Sequence, residues 1–381
     1  MTMETKSYKL EEIAKSFYYG SMPQEKMICD SGYPIFTGYR YIGYYSEYNI
    51  SRRSIVVVAR GVGGTGNVRI AEEKTFLTNL SIAVDIDTSI VDIDYLKHYL
   101  NIQGLRYLDS GAAQSQITIN SLKRHRVFLP ELRAQKSIVA VLSAYDNLIE
   151  VNNKKIKVLE QMEENLYKEW FVRFRFPGHE TAEFENGIPM GWEYSTVDSL
   201  SSVLQRGISP DYDDAGNLTV ISQKCIRQNI MDIRESRQQT KPFKSELNLI
   251  DGDTVICSTG TGTLGRVGQV YGEYPDTTFD SHVTLVRARK NIGKHFLYWT
   301  LKEMQPWFMN MGIGSTNQQE LYRGTIKNAK AICPDNKLVA QFETIIEPIH
   351  QNIISLIKSQ DNLIKQRDLL LPRLMSGRLE V

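Results

Sequence analysis

The stretch from Glu131 to Trp170 constrains this chain most. It follows Pro130 and contains neither Gly nor Pro. Apolar residues recur every three to four positions, at Ile138, Leu142, Tyr145, Ile149, Ile156, Leu159, Leu166 and Trp170. Asn152 and Glu163 fall on the same stripe. The spacing predicts one long amphipathic helix with a near-heptad seam. About forty residues at about 1.5 Å each give a rod of roughly 60 Å. An apolar seam that long needs a partner, and the C-terminal stretch supplies one in Ile346, Ile349, Ile353, Leu356, Leu363, Leu370 and Leu374.

The rest of the chain reads as two mixed α/β blocks. In the first, Ser54–Ala59 is a continuous β-branched strand that runs into Gly61-x-Gly63-x-x-Gly66. Tyr8–Ala14 reads as a short amphipathic start, Tyr33–Thr37 and Ser81–Ile86 as strands, and Asp94–Leu108 as a helix. In the second block the same signals return in the same order. Leu218–Ser222 answers Tyr33–Thr37. Asp253–Cys257 answers the Val-rich strand, and Gly260-x-Gly262-x-x-Gly265 answers the first glycine loop. The turn Gly314–Gln319 answers Gly111–Gln116, and Ala340-Gln341 answers Ala134-Gln135. The offset grows from 185 (Tyr33 to Leu218) through 199 (Gly61 to Gly260) to 206 (Gln135 to Gln341). Ordered matches with small insertions mark an internal duplication.

The boundaries expected are residues 1–130 for the first block, 131–175 for its helix, 176–334 for the linker and second block, and 335–381 for the second helix. An antiparallel helix pair would relate the blocks by a pseudo-twofold axis, building a symmetric dimer's logic into one chain. Pro348 and Pro372 each remove an intrahelical hydrogen bond, which predicts a kink near Glu347 and a break near Leu371. Two similar readers on a rigid spacer suit a split DNA target. A coiled-coil adaptor that binds protein at both ends is the competing reading.

Composition narrows the classes. A net charge of +1 argues against a bulk basic binder, though not against local basic faces. No apolar run approaches the roughly 18 residues of a membrane span, and Met1–Glu12 carries no apolar signal core, so a cytoplasmic chain is expected. Four Cys stand far apart, none in a CxxC pair, and six His add no ligand spacing. Reduced thiols and no metal are expected.

Both glycine loops satisfy GxGxxG. A nucleotide cradle would need a helix next. The downstream segments, Asn67–Ile70 and Arg266–Val270, are strand-like, so each loop is read as a connection between strands. No Asn/Asp-Pro-Pro-Tyr/Phe element, PD…ExK set, P-loop or HExxH occurs, which leaves a methyltransferase or nuclease acting alone without a catalytic set. His98 and His282 stand alone and read as structural or surface residues.

Phosphate grip needs Lys and Arg, while base reading favours Arg, Asn, Gln, Ser and Thr. The candidates are Arg40, Arg60, Arg69, Gln114 and Gln116 in the first block. In the second they are Lys224, Arg227, Arg266, Ser315, Asn317 and Gln318. The Tyr cluster at 39–48 could line the same face.

Leu166–Pro177, the run LYKEWFVRFRFP, resembles the end of the first conserved region in specificity (S) subunits of type I restriction–modification enzymes. Gly187–Trp192 resembles the start of that family's second half, and Leu129–Gln135 and Leu374–Gly377 fit as well. The resemblance covers the whole chain. It implies two target-recognition domains, each reading half of a split double-stranded DNA site, with the conserved helices fixing the gap. It also implies two docked modification subunits carrying S-adenosylmethionine, restriction subunits using ATP and Mg, and no cofactor in this chain.

Overall fold

A computed structural model describes residues 4–61, 64–109, 115–227, 229–314 and 319–379. The chain divides into two compact units, residues 1–150 with 361–381, and residues 151–360. The principal helices are α1 (Ile93–Gln103), α2 (Leu132–Tyr167), α3 (Lys294–Glu303) and α4 (Asn336–Met375).

The first unit is built on β1 (Ala14–Tyr19), β2 (Tyr33–Phe36), β3 (Tyr41–Tyr45), β4 (Ser54–Val58), β5 (Val68–Ala71), β6 (Phe76–Leu77) and β7 (Ser81–Ile86). β1-β7-β4-β5 form an antiparallel sheet. Every residue of β4 is buried, as a β-branched central strand requires. A second small sheet joins β3, β2 and β6, with β2 and β6 parallel. Lys6–Lys9 pairs with Arg126–Leu129 and brings the unit's start beside the strand that leads into α2. Ile55, Val57, Ile82 and Val84 pack on Tyr95, Leu96 and Leu100 of α1 and on Ile138 and Leu142 of α2. Leu374 and Met375 of α4 enter the same core. Arg367 meets Asp146 at 2.7 Å, so within this unit the two helices run side by side in opposite directions.

The second unit uses β8 (Ser201–Arg206), β9 (Leu218–Ile221), β10 (Arg237–Gln239), β11 (Thr254–Cys257), β12 (Val267–Gln269), β13 (Thr277–Phe279) and β14 (Val283–Ala288). The order β8-β14-β11-β12 repeats that of β1-β7-β4-β5, again all antiparallel. β9 pairs with β10 and, in parallel, with β13, as β2 does with β3 and β6. Even the irregularities match. The β1–β7 register shifts between Ala14 and Ser16, and the β8–β14 register between Ser201 and Val203. Such bulges are specific features of a strand pair. Tyr167, Trp170 and Phe171 pack on Phe296 of α3 and on Phe342 and Ile346 of α4. The end of α2 therefore lies beside the start of α4 in this unit, again antiparallel.

Both glycine loops connect strands, β4 to β5 and β11 to β12, as their downstream sequence predicts. Gly66 and Gly265 have φ of +92° and +77°. A Cβ there would lie 2.8 Å from the Arg106 nitrogen and 2.5 Å from the Met309 nitrogen. Glycine is required on both counts.

Three expectations need correction. Tyr8–Ala14 is not one amphipathic helix: a strand ends at Lys9, Leu10–Ile13 makes one helical turn, and Ala14 opens β1. Leu10 and Ile13 are buried, so the apolar spacing is real but serves a single turn. α4 does not break near Leu371 and runs to Met375. Pro372 sits in its last turn, where one missing N–H costs little continuity, and burial of Leu374 holds the turn in place. α2 ends at Tyr167 and passes into a π-turn, Lys168–Val172, which seats Trp170 and Phe171 in the core.

The polar members of the α2 stripe are buried in the second unit. Asn152 reaches Ser359 Oγ at 3.4 Å. Glu163 is fully buried, with the Trp299 indole beside its carboxylate. Burial, with Glu160, Glu343 and Glu347 nearby, pushes its pKa up to about 8. Burial likewise raises Glu160 and Glu343 to about 7. Burial depresses His295 to about 4 although it bonds Glu347 at 3.0 Å. Raised acids favour the folded state at low pH, and that contribution is lost as pH climbs through the folded pKa. His295 acts oppositely, but only below about pH 6.5. The second unit should therefore lose stability between pH 6.5 and 8, and Glu163→Gln should reduce that slope by about 1 kcal/mol per pH unit. Urea unfolding across this range, followed through the transition of residues 151–360, checks it; parallel slopes would refute it.

Candidate nucleic-acid interface

In the first block, four connections meet at one end of the main sheet. Ala59 and Arg60, leaving β4, donate to the Leu80 carbonyl at 2.9 and 3.1 Å. Arg60 also bridges Gln116, and Ile117 donates to Ala59. Tyr19 closes β1 beside them, and the Arg60 guanidinium lies 5.9 Å from its ring centre. Tyr39, in the turn after β2, lays its ring over the glycine loop, so that a Cβ on Gly64 would fall 2.0 Å from Tyr39 Cε1. Partial burial raises the Tyr39 phenol above its ordinary value, so at neutral pH it remains an uncharged donor.

The second block repeats the arrangement. Thr259, leaving β11, bridges Glu320, and Leu321 donates to Ser258 at 2.8 Å. Ser258 donates to the His282 carbonyl. Arg206 closes β8, pairs with Glu320, and donates from Nε to the Ser281 carbonyl at 2.6 Å. Thr259 Oγ1 and His282 Nδ1 are 2.6 Å apart. Gln223 lies over Gly260 in this block, and its Oε1 accepts from Thr259 and Thr263 at 3.4 Å each.

The candidate residues distribute unevenly over these rims. Arg60 and Gln116 are brought together by the bridge between them. Arg40 is exposed in the Tyr39 turn. Arg69 is exposed on edge strand β5 opposite Val56, away from the bridge. Lys224 is exposed in the turn after β9, where Arg227 donates to its carbonyl and pairs with Glu235 at 3.4 Å. Arg266 is half-buried at the exit of the second glycine loop, and its N–H donates to Thr263. Gln114, Ser315, Asn317 and Gln318 lie outside the described residues. Of the Tyr cluster, Tyr39, Tyr41, Tyr44 and Tyr48 are exposed, whereas Tyr45 is buried beside Phe76.

Tyr19, Leu80, Arg206, Thr259, His282 and Glu320 are absent from the candidates named above, although Arg206 and Thr259 are of types that base reading favours. His282, expected to stand alone, is paired with Thr259. The sequence does hold a usable signal: the repeat offset that carries Gly61 to Gly260 also carries Arg60 to Thr259. Among the described residues no group of His, Cys, Asp and Glu is disposed to hold a metal, and no helix is long and apolar enough to cross a membrane.

Residues 3–161 match the family described as type I restriction modification DNA specificity domain. The chain is 23% identical over 290 residues to the type I restriction enzyme MjaIX specificity subunit of Methanocaldococcus jannaschii, covering 73% of this chain and 66% of that one. It is 20% identical over 340 residues to the HindI specificity subunit of Haemophilus influenzae, covering 69% and 71%. The crystal structure of the S subunit of a type I system from M. genitalium superimposes with a TM-score of 0.62 at 18% identity, over 98% of this chain and 96% of that one. That likeness establishes a shared mixed α/β fold.

The Tyr39 ring and the backbone beneath it make a separable pair. Gly64→Ala should destabilise the first unit by about 1–3 kcal/mol, because the new methyl enters occupied space. Tyr39→Ala in that background should restore most of the loss, since the obstructing ring is gone. A double-mutant cycle in urea with no coupling between the two positions would contradict the packing described.

Proposed function

Because the chain belongs to the type I restriction–modification specificity subunits, we propose that it is the non-catalytic DNA-specificity subunit of such a complex. Residues 1–130 and 176–334 each read one half of a bipartite duplex site. Residues 131–175 and 335–381 form an antiparallel two-helix spacer with pseudo-twofold symmetry. That spacer sets the gap between half-sites and docks two modification subunits. Adenine methylation, with its S-adenosylmethionine, and cleavage with ATP and Mg belong to the modification and restriction subunits. The observation that carries this reading is a strand order repeated in both blocks, with equivalent connections converging at the same sheet end in each.

A repeated scaffold with a polar rim suits reading rather than reaction. Phosphates would be held by Arg40, Arg69, Lys224, Arg227 and Arg266, which fix register and make affinity fall with salt. Base edges would be met by Arg60 and Gln116, and by Gln114, Ser315, Asn317 and Gln318, which lie outside the described residues. Exposed Tyr side chains add hydroxyls for phosphate and flat faces for sugar.

Exchanging residues 1–130 for the equivalent block of a relative with another specificity tests this directly. Methylome sequencing of a host carrying the full complex should show one half-site replaced and the other kept. Loss of both halves would argue against independent readers. Inserting about four residues into α2 should lengthen the tolerated gap by a few base pairs, since a helix advances about 1.5 Å per residue. An unchanged gap would remove the spacer role.

A further inference from the structure

The two blocks share one scaffold but not one rim. Backbone hydrogen bonds fix the correspondence independently of side chains. Gly20 N donates to Ser81 O and Gly207 N to Val283 O, both at 3.1 Å. The residues before those glycines, Tyr19 and Arg206, are therefore equivalent. The Arg60–Gln116 bridge matches the Thr259–Glu320 bridge. Leu80 and His282 both accept from the residue that follows the central strand, Ala59 or Ser258. Four positions thus correspond by backbone geometry alone, and all four change chemical type: Tyr19 to Arg206, Arg60 to Thr259, Leu80 to His282, Gln116 to Glu320.

Side chains at these positions also contact one another within each block. Arg60 covers Tyr19 in the first. In the second, Arg206 pairs with Glu320 and Thr259 with His282. The first set carries one positive charge from Arg60. In the second the charges of Arg206 and Glu320 cancel, with His282 counted as neutral. Around them the sheet order, the bulge and the glycine requirement are unchanged.

We propose that these four positions are the specificity-determining set of each block, an assignment that rests on the DNA-reading function above and refines it. A split site whose halves differ requires readers with the same docking geometry and different functional groups. This rim is where the duplication supplies that combination. Arg60 and Gln116 present a guanidinium and an amide, the groups that pair with guanine and adenine edges in the major groove, and Leu80 presents an apolar contact suited to a thymine methyl. The second rim presents a hydroxyl, an imidazole and a guanidinium partly engaged by a carboxylate, so it prefers different letters.

The test uses the full chain in the complex in which it is purified. Binding to a library of random duplexes is selected and sequenced for wild type, for Arg60→Ala, and for the double variant Thr259→Val with His282→Ala. The first variant should lower base preference by about fivefold or more at a position of one half-site, leaving the other half intact. The double variant should do the same in the opposite half-site only. Gln116→Glu and Glu320→Gln, which keep side-chain size and alter charge, should shift the same halves and guard against loss through misfolding. Unchanged letters in all variants, or changes that ignore the block mutated, would overturn the assignment while leaving DNA reading in place. A wild-type complex that selects no bipartite motif would instead overturn the DNA-reading function, and this assignment with it.

Discussion

Each unit depends on a stretch of α2 packing against a stretch of α4. In the first, Ile138 and Leu142 meet the sheet core together with Leu374 and Met375. In the second, Tyr167 and Trp170 meet Phe342 and Ile346. An isolated amphipathic helix of this kind is marginal in water, because most helical stability in proteins comes from burying an apolar face. Neither unit's core is therefore closed by one continuous segment. The first is completed by residues near the end of the sequence, and the second by the stretch that succeeds the first block. Truncating α4 would open the core of the first unit although that unit begins hundreds of residues earlier.

Burial in the second unit has an unusual composition. Glu163 of α2, His350 of α4 and His295 of α3 are buried there, and Glu343 of α4 is half-buried beside them. His295 bonds Glu347, His350 bonds Asp251 at 2.8 Å, and Glu343 accepts from the His295 and Phe296 amides at the start of α3. Glu163 has only the Trp299 indole beside it, and burial favours its protonated form. An apolar residue would be easier to bury. What the carboxyl adds is discrimination, since a slipped register would expose or strand these groups differently, as a lone buried Asn does in a coiled coil.

Much of this is legible in the sequence, for physical reasons that differ by element. β4 and β11 announce themselves through continuous β-branched residues, and α2 through its unbroken 3.6-residue period. The glycine loops can be separated from nucleotide cradles because Asn67–Ile70 cannot start a helix under the pattern it carries. The duplication is readable because order survives where identity does not. The one-turn helix at Leu10–Ile13 is not readable, because two apolar residues three apart fit a long helix equally well. The continuation of α4 past Pro372 is also hidden: the propensity rule is local, and Leu374 is held by tertiary packing.

The rim is only half legible, because its contacts are made by the fold rather than by neighbours in sequence. Arg60 and Gln116 stand out by their chemistry, yet their contact is created by a bridge across more than fifty residues of sequence. The remaining positions, Tyr19 and Leu80 in one block and Arg206, Thr259, His282 and Glu320 in the other, share no single residue type, and an Arg or Thr by itself does not separate them from the rest of the surface. They are related by location alone. Aligning a duplicated chain on its buried strands and reading the exposed positions that disagree recovers them, because packing constrains the first set and leaves the second to vary. Under the proposed function, the positions that stay unchanged between the repeats would hold the target, and those that change would distinguish one target from another.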